Sequence, residues 1–249
     1  MFLAPNIAIK ELAEAYASMI IDPLAFDLND PLLDSSHEVF ALEDYLATME
    51  EHISHIQRSQ KRKLNAYIKK EKLTPDDSEW HEAIQEYYHW VDFLLPRFFR
   101  GPFLVSLYAL YESVVTEIAD LIHTKQPRLK RFSSFRSREK LSFLKRARKY
   151  YDEILGLELC PDETTWYRLT VLSELRNAVA HANGRVEMLR PEKRSVVQSL
   201  VHSIPDIDIH SGYITFGKAF VSDTAYIVIS DLRRLIDNNR EGCRPDKIV

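Results

Sequence analysis

Arg176, Asn177 and His181 fall within six residues of one another in Ser173-Glu174-Leu175-Arg176-Asn177-Ala178-Val179-Ala180-His181-Ala182-Asn183-Gly184. Imidazole is the side chain whose ordinary proton affinity lies nearest neutrality, and guanidinium is a permanent cation whose fork matches two phosphate oxygens. Together they can cleave RNA without a metal. The imidazole removes the 2′-hydroxyl proton or protonates the leaving oxygen, and the guanidinium neutralises charge developing on the phosphorus.

Such chemistry needs an element that positions it. At about 100° per residue, Thr170, Glu174, Asn177 and His181 share a polar stripe, with Leu169, Leu172, Leu175 and Val179 opposite. Arg176 falls on the apolar side, where its head must find a carboxylate, a phosphate or a wet cleft. Asn183-Gly184 supplies a C-terminal stop through the left-handed conformation that glycine readily takes. His181 therefore sits in the last turn, where the helix dipole and nearby Glu174 favour the imidazolium. Arg176 and His181 are about 140° apart on a straight helix, so either the helix bends near Asn177 or a second subunit completes the site. The plainer reading is that both side chains cap carbonyls or form an internal salt bridge.

Two other stretches bear on this one. Phe103 to His123 places Phe103, Leu107, Leu110, Val114, Ile118 and Leu121 on one stripe, as expected of a central helix, and Glu112 lies in that apolar company. A buried carboxylate is costly unless paired, and Arg176 is the expected partner; the alternative is that Glu112 faces water. Gln126 to Lys149 is the most basic segment, with Phe132, Phe135 and Phe143 interleaved. Its Arg128, Lys130, Arg131, Arg136, Arg138, Lys145 and Arg146 are candidates to hold single-stranded RNA by phosphate contacts and stacking. Equally, the Phe side chains belong to the core and the cations to the solvent.

The wording Arg176-Asn177-Ala178-Val179-Ala180-His181 resembles the Arg-Asn-x-x-x-His form of the signature of the HEPN superfamily. Looser support comes from the upstream helical segment Tyr108-Ala109-Leu110-Tyr111-Glu112-Ser113. The resemblance implies an all-helical domain and a metal-independent endoribonuclease, with His181 as general acid/base, Arg176 as phosphate clamp and Asn177 as orienter. Glu112 and Glu174 would support them from behind. It also implies a homodimer with motif helices facing across a cleft, an RNA substrate, a setting in toxin-antitoxin or antiviral defence, and an antitoxin or other regulatory protein as partner. No cofactor or metal is implied. The rival reading is a non-catalytic HEPN-like module that binds RNA, a nucleotide or a protein.

The rest of the chain sets bounds. At 249 residues, 45% hydrophobic and 28% charged, it can bury one large core. Its formal charge of -4 means that nucleic-acid binding has to rest on local patches. Cys160 and Cys243 stand far apart, which argues against a zinc site or disulfide framework and fits a reducing cytoplasm. His52 and His55 lack further ligands at metal spacing and read as surface or packing residues. Met1 to Ile21, interrupted by Lys10, Glu11 and Glu14, reads as an amphipathic helix rather than a signal peptide. The longest apolar run is too short to span a bilayer.

The expected fold is mainly all-α, a helical bundle forming essentially one domain over 1–249. A helix is expected from Asn6 to about Ile21, and residues 35–73 form one long, projecting helix whose second half is basic. Asp77 or Ser78 opens another, and Pro96 and Gly101-Pro102 are expected to break the chain before the central helix. Asp162 or Thr164 caps the motif helix, and Pro191 opens a short one. Residues 206–217 read as a β-hairpin around Ser211-Gly212, Phe220 to Asn238 as a closing helix, and 240–249 as a polar tail.

Overall fold

The apolar stripes of the helices meet in one bundle. The computed structural model describes residues 31–136 and 141–241. The expected helix from Asn6, the candidate Arg138 and the tail beyond Glu241 lie outside them. In chain order the elements are α1 (Leu33–Glu71), α2 (Ser78–Tyr87), α3 (Leu95–Lys125), α4 (Phe143–Tyr150), α5 (Glu163–Ala182), α6 (Pro191–Ser203), β1 (Ile207–His210), β2 (Tyr213–Phe216) and α7 (Lys218–Glu241). Seven-residue and five-residue π-helical turns, Tyr88–Leu94 and Tyr151–Leu155, follow α2 and α4. The fold is thus mainly all-α, with one antiparallel hairpin as the β component of the described residues.

α3 is the hub. It packs against α1, α5, α7 and β2, while α5 also meets α6 and α7. Phe103, Leu104, Leu107, Tyr111, Val114, Val115 and Ile118 are fully enclosed, which makes α3 apolar nearly all round along its middle. Burying each such side chain contributes about 1.5–3 kcal/mol. Around them stand Val39 and Ile53 of α1, Leu169, Leu172 and Leu175 of α5, and Val221, Val228 and Leu232 of α7. Gly101 lets α3 and α5 approach closely, for a Cβ there would stand 3.3 Å from Val179 Cγ1.

α1 is 39 residues long, and all its buried residues lie before position 54. Its second half runs on beside α2 and the π-helical turn, and Tyr67 hydrogen-bonds Glu79 across the gap.

One sequence expectation is corrected here. Pro96 and Gly101-Pro102 do not break the chain, because α3 runs unbroken from Leu95 to Lys125. Pro96 occupies the first turn, where its missing N–H would have no intrahelical acceptor. Pro102 lies inside the helix, exposed, and packing of the following apolar residues on every side outweighs its local cost of about 3 kcal/mol.

The hairpin pairs Ile207 with Phe216 and His210 with Tyr213. Ser211 and Gly212 both have positive φ, which a tight two-residue hairpin turn requires. Its apolar face, Ile207, Ile214 and Phe216, covers one end of the bundle. None of the helices among the described residues is long and apolar enough to cross a membrane.

Candidate functional site

The motif helix is set by its two ends. Asp162 accepts from the Thr165 N–H at 2.7 Å and from the Thr165 hydroxyl at 2.7 Å, so its side chain caps the first turn. At the other end Asn183 takes the left-handed conformation at φ 50 before Gly184 does so at φ 73. The N–H groups of both residues return to the Ala178 carbonyl. The stop expected at Gly184 is therefore shared with Asn183.

Between these ends, Leu169, Leu172, Leu175 and Ala178 are buried while Thr170 and His181 are exposed. Arg176 is half-buried against α3. Its Nη2 donates to Glu112 Oε2 at 3.2 Å, its Nη1 to Asn177 Oδ1 at 2.9 Å, and its Cζ lies 5.1 Å from the centre of the Tyr108 ring. The Nε of Arg176 is buried without a hydrogen-bond partner. The guanidinium is thus held on three sides by groups from α3 and from its own helix. Nothing in the sequence marked Tyr108 as its support beyond membership of the same helix as Glu112.

Burial raises the Glu112 carboxyl above the ordinary glutamate range, and Arg176, Arg146 and the Tyr108 hydroxyl pull it back. Burial likewise pushes the Tyr108 phenol up to about 12, with the Glu112 charge adding to the effect. Arg146 comes from the basic segment, on α4. Its Nε is also buried and unpartnered, and its Cζ lies 4.6 Å from the centre of the Phe132 ring. One carboxylate therefore feels two guanidinium groups, Arg176 in direct contact and Arg146 through space.

His181 is exposed, and no hydrogen bond or ring contact engages it among the described residues. Glu174, expected to favour its imidazolium, instead accepts from Lys193 Nζ of α6 at 2.8 and 2.7 Å. The Lys193 ammonium touches Glu174 directly, whereas His181 lies about two turns further along α5.

Arg128, Lys130, Arg131, Arg136 and Lys145 are exposed. Phe132 and Phe135 are buried and pack edge-on against Tyr150, so they serve the core and offer no open face for bases. Among the described residues of that segment, Arg146 is the one whose charge acts on Glu112. His52 packs edge-on against Phe99, and His55 is exposed.

The motif also has neighbours that its sequence did not announce. Arg97 Nη2 donates to the Asn183 carbonyl at 2.7 Å, and Arg185 Nε donates to the Tyr213 hydroxyl at 2.6 Å. Comparison with known proteins finds no match. No family model fits the chain, and no curated protein or solved structure is significantly similar to it. The functional reading accordingly rests on the motif and its geometry.

Proposed function

We propose that the protein is a metal-independent endoribonuclease of the HEPN type. The observation that carries this reading is the place of Asn177. It lies one helical turn before His181 on the outward stripe, and its side-chain oxygen holds Arg176 Nη1 at 2.9 Å. Residues four apart on a helix have side chains about 5–6 Å apart, so Asn177 draws a guanidinium rooted on the buried side toward the face that carries His181. The angular gap of about 140° between their Cβ directions is offset by the length of the arginine.

The 2′-oxygen of a ribose attacks the adjacent phosphorus as the bond to the 5′-oxygen breaks, leaving a 2′,3′-cyclic phosphate and a 5′-hydroxyl. His181 takes the proton from the 2′-oxygen or delivers one to the 5′-oxygen. Arg176, oriented by Glu112 and Asn177, faces the charge that grows on the non-bridging oxygens. One subunit offers a single exposed imidazole at this spot. A two-fold dimer with the α5 helices facing would offer two, one as base and one as acid. Defence or growth control, with an antitoxin or other regulator, follows from the same resemblance.

A second reading is a binding module without turnover. It is favoured by the engagement of both terminal nitrogens of Arg176, which is how a settled internal ion pair is arranged.

RNA cleavage in EDTA separates the two. Wild-type protein is expected to cut a structured RNA into cyclic-phosphate products, and His181→Ala to lower the rate at least about 100-fold while keeping the circular dichroism and hydrodynamic size of the parent. Equal cleavage by both proteins, or none by the wild type, rules the enzyme out.

A further inference from the structure

Beyond His181, where α5 gives way to the hairpin, two more guanidinium groups close on a single phenol. Arg97, in the first turn of α3, places its Cζ 4.1 Å from the centre of the Tyr213 ring, and Arg185 places its own at 5.1 Å. Neither forms an ion pair with a carboxylate among the described residues. The contrast with Arg100, one turn along α3, is informative. Its Nε and Nη2 grip Glu50 at 2.7 and 2.9 Å, and its Nη1 reaches the Phe216 carbonyl.

A guanidinium carries five N–H donors. Arg97 spends one on the Asn183 carbonyl and Arg185 one on the Tyr213 hydroxyl, so most donors of the pair are uncommitted. Burial makes the charge on Arg97 costlier, and Arg185 repels it, which an anion between them would relieve. Three carboxylates, Asp92, Asp206 and Asp208, line one cavity together with Arg97 and Arg100. Each accepts a hydrogen bond from an uncharged donor, Gln57 Nε2, the Phe220 N–H and the Ile209 N–H respectively, and among the described residues none is in ion-pair contact with Arg97 or Arg185. Phe98, 57% exposed, lies beside Arg97 with its ring centre 5.1 Å from the guanidinium carbon. Fixed cations next to an open aromatic face are what a single-stranded nucleic acid uses, phosphate on one and base on the other.

We infer that Arg97, Arg185 and Tyr213 form a second phosphate-binding site, with Phe98 as a base-stacking face, that holds the RNA strand beside the bond presented to Arg176 and His181. The inference rests on the ribonuclease reading for the identity of the strand, whereas the phosphate grip rests on the residues just named. Asn183 ties the two sites together: it ends the helix that bears His181, and its carbonyl fixes Arg97. A strand crossing the end of α5 passes from one site to the other.

The test is equilibrium binding of a fluorescein-labelled single-stranded 2′-O-methyl RNA to the full chain, followed by anisotropy across a salt series. This probe lacks the 2′-hydroxyl and cannot be cut by the proposed route. The wild type is expected to bind, and Arg97→Gln with Arg185→Gln to weaken binding about tenfold or more. The slope of log affinity against log salt should fall by roughly 1.4, for two phosphate contacts to a single strand. Arg185 is exposed and held through one bond, so Arg185→Gln alone keeps the test available should the double variant fail to fold; its expected loss of slope is roughly 0.7. Unchanged affinity and slope in a folded variant overturn the inference, as does failure of the wild type to bind the probe. His181→Ala is expected to bind the probe as the wild type does. No cleavage by the wild type in EDTA with probe binding intact would count against the nuclease alone, and wild-type cleavage with binding indifferent to Arg97 and Arg185 against this site alone.

Discussion

At the scale of residues, the arginine of the motif is an anchored group and the histidine a free one. Arg176 is fixed by Glu112, Asn177 and the face of Tyr108, whereas His181 stands exposed one turn beyond Asn177. Ordering a long side chain costs up to about 2 kcal/mol, so a guanidinium already held can meet a phosphate with less loss of freedom. The Glu112 carboxyl supplies a pH signature. Burial holds its folded-state value above the ordinary glutamate value, so in that window the folded chain keeps a proton that the unfolded chain has released. The group's contribution to stability is present below the unfolded value and is lost as pH rises through the folded one. Glu112→Gln is expected to flatten that part of the curve, read as the urea midpoint measured from acid to neutral pH. The pairing of Glu112 with Arg176 was legible in sequence because a carboxylate in an apolar helix and a guanidinium on the apolar side of another each require a partner. Tyr108 beneath the guanidinium was not, since an aromatic at helical spacing ordinarily means core alone.

At the scale of elements, the cap and the junctions decide how well the motif is held. Asp162 satisfies the Thr165 N–H at 2.7 Å, and Asp162→Ala is expected to lower the urea midpoint. The turn between hairpin and α7 is more demanding. A Cβ on Gly217 would stand 1.7 Å from Asp206 Oδ1, and that same carboxylate accepts from the Phe220 N–H at 3.0 Å. Gly217→Ala is therefore expected to destabilise the protein by about 1–3 kcal/mol, seen as a lower urea midpoint, because relieving the clash leaves an α7 donor unpaired. The limits of α1, α5 and α6 and of the hairpin lay within a few residues of their sequence signals, since caps and glycines act on the backbone next to them. Pro102 misled because its penalty is local and small beside the burial of the residues that follow it.

At the scale of the whole molecule, the long-range pair Glu50–Arg100 joins α1 to α3 and, through the Phe216 carbonyl, to the hairpin. Its side chains are only 6% and 12% exposed, so removing one partner strands a charge in the interior. Arg100→Met is expected to cost about 3–5 kcal/mol in guanidinium-chloride unfolding, and the double change with Glu50→Leu to recover much of it. Tyr111 is a second such tie, donating to Asp231 at 3.1 Å from the middle of α3 to α7, with Arg234 on the other carboxylate oxygen.

The sequence by itself determined that the chain is helical, where most helices start and stop, which stripes turn inward, and that Arg, Asn and His crowd the end of one of them. These are properties of a few consecutive residues and of a period of about 3.6. Only the tertiary structure decided that Arg146 of the basic segment acts on Glu112, that Lys193 claims Glu174, and that Arg97 meets Arg185 across Tyr213. Those meetings join residues from different helices and the hairpin. Which cation reaches which anion or ring depends on how the packed stripes rotate the polar faces, and no spacing along the chain encodes that rotation.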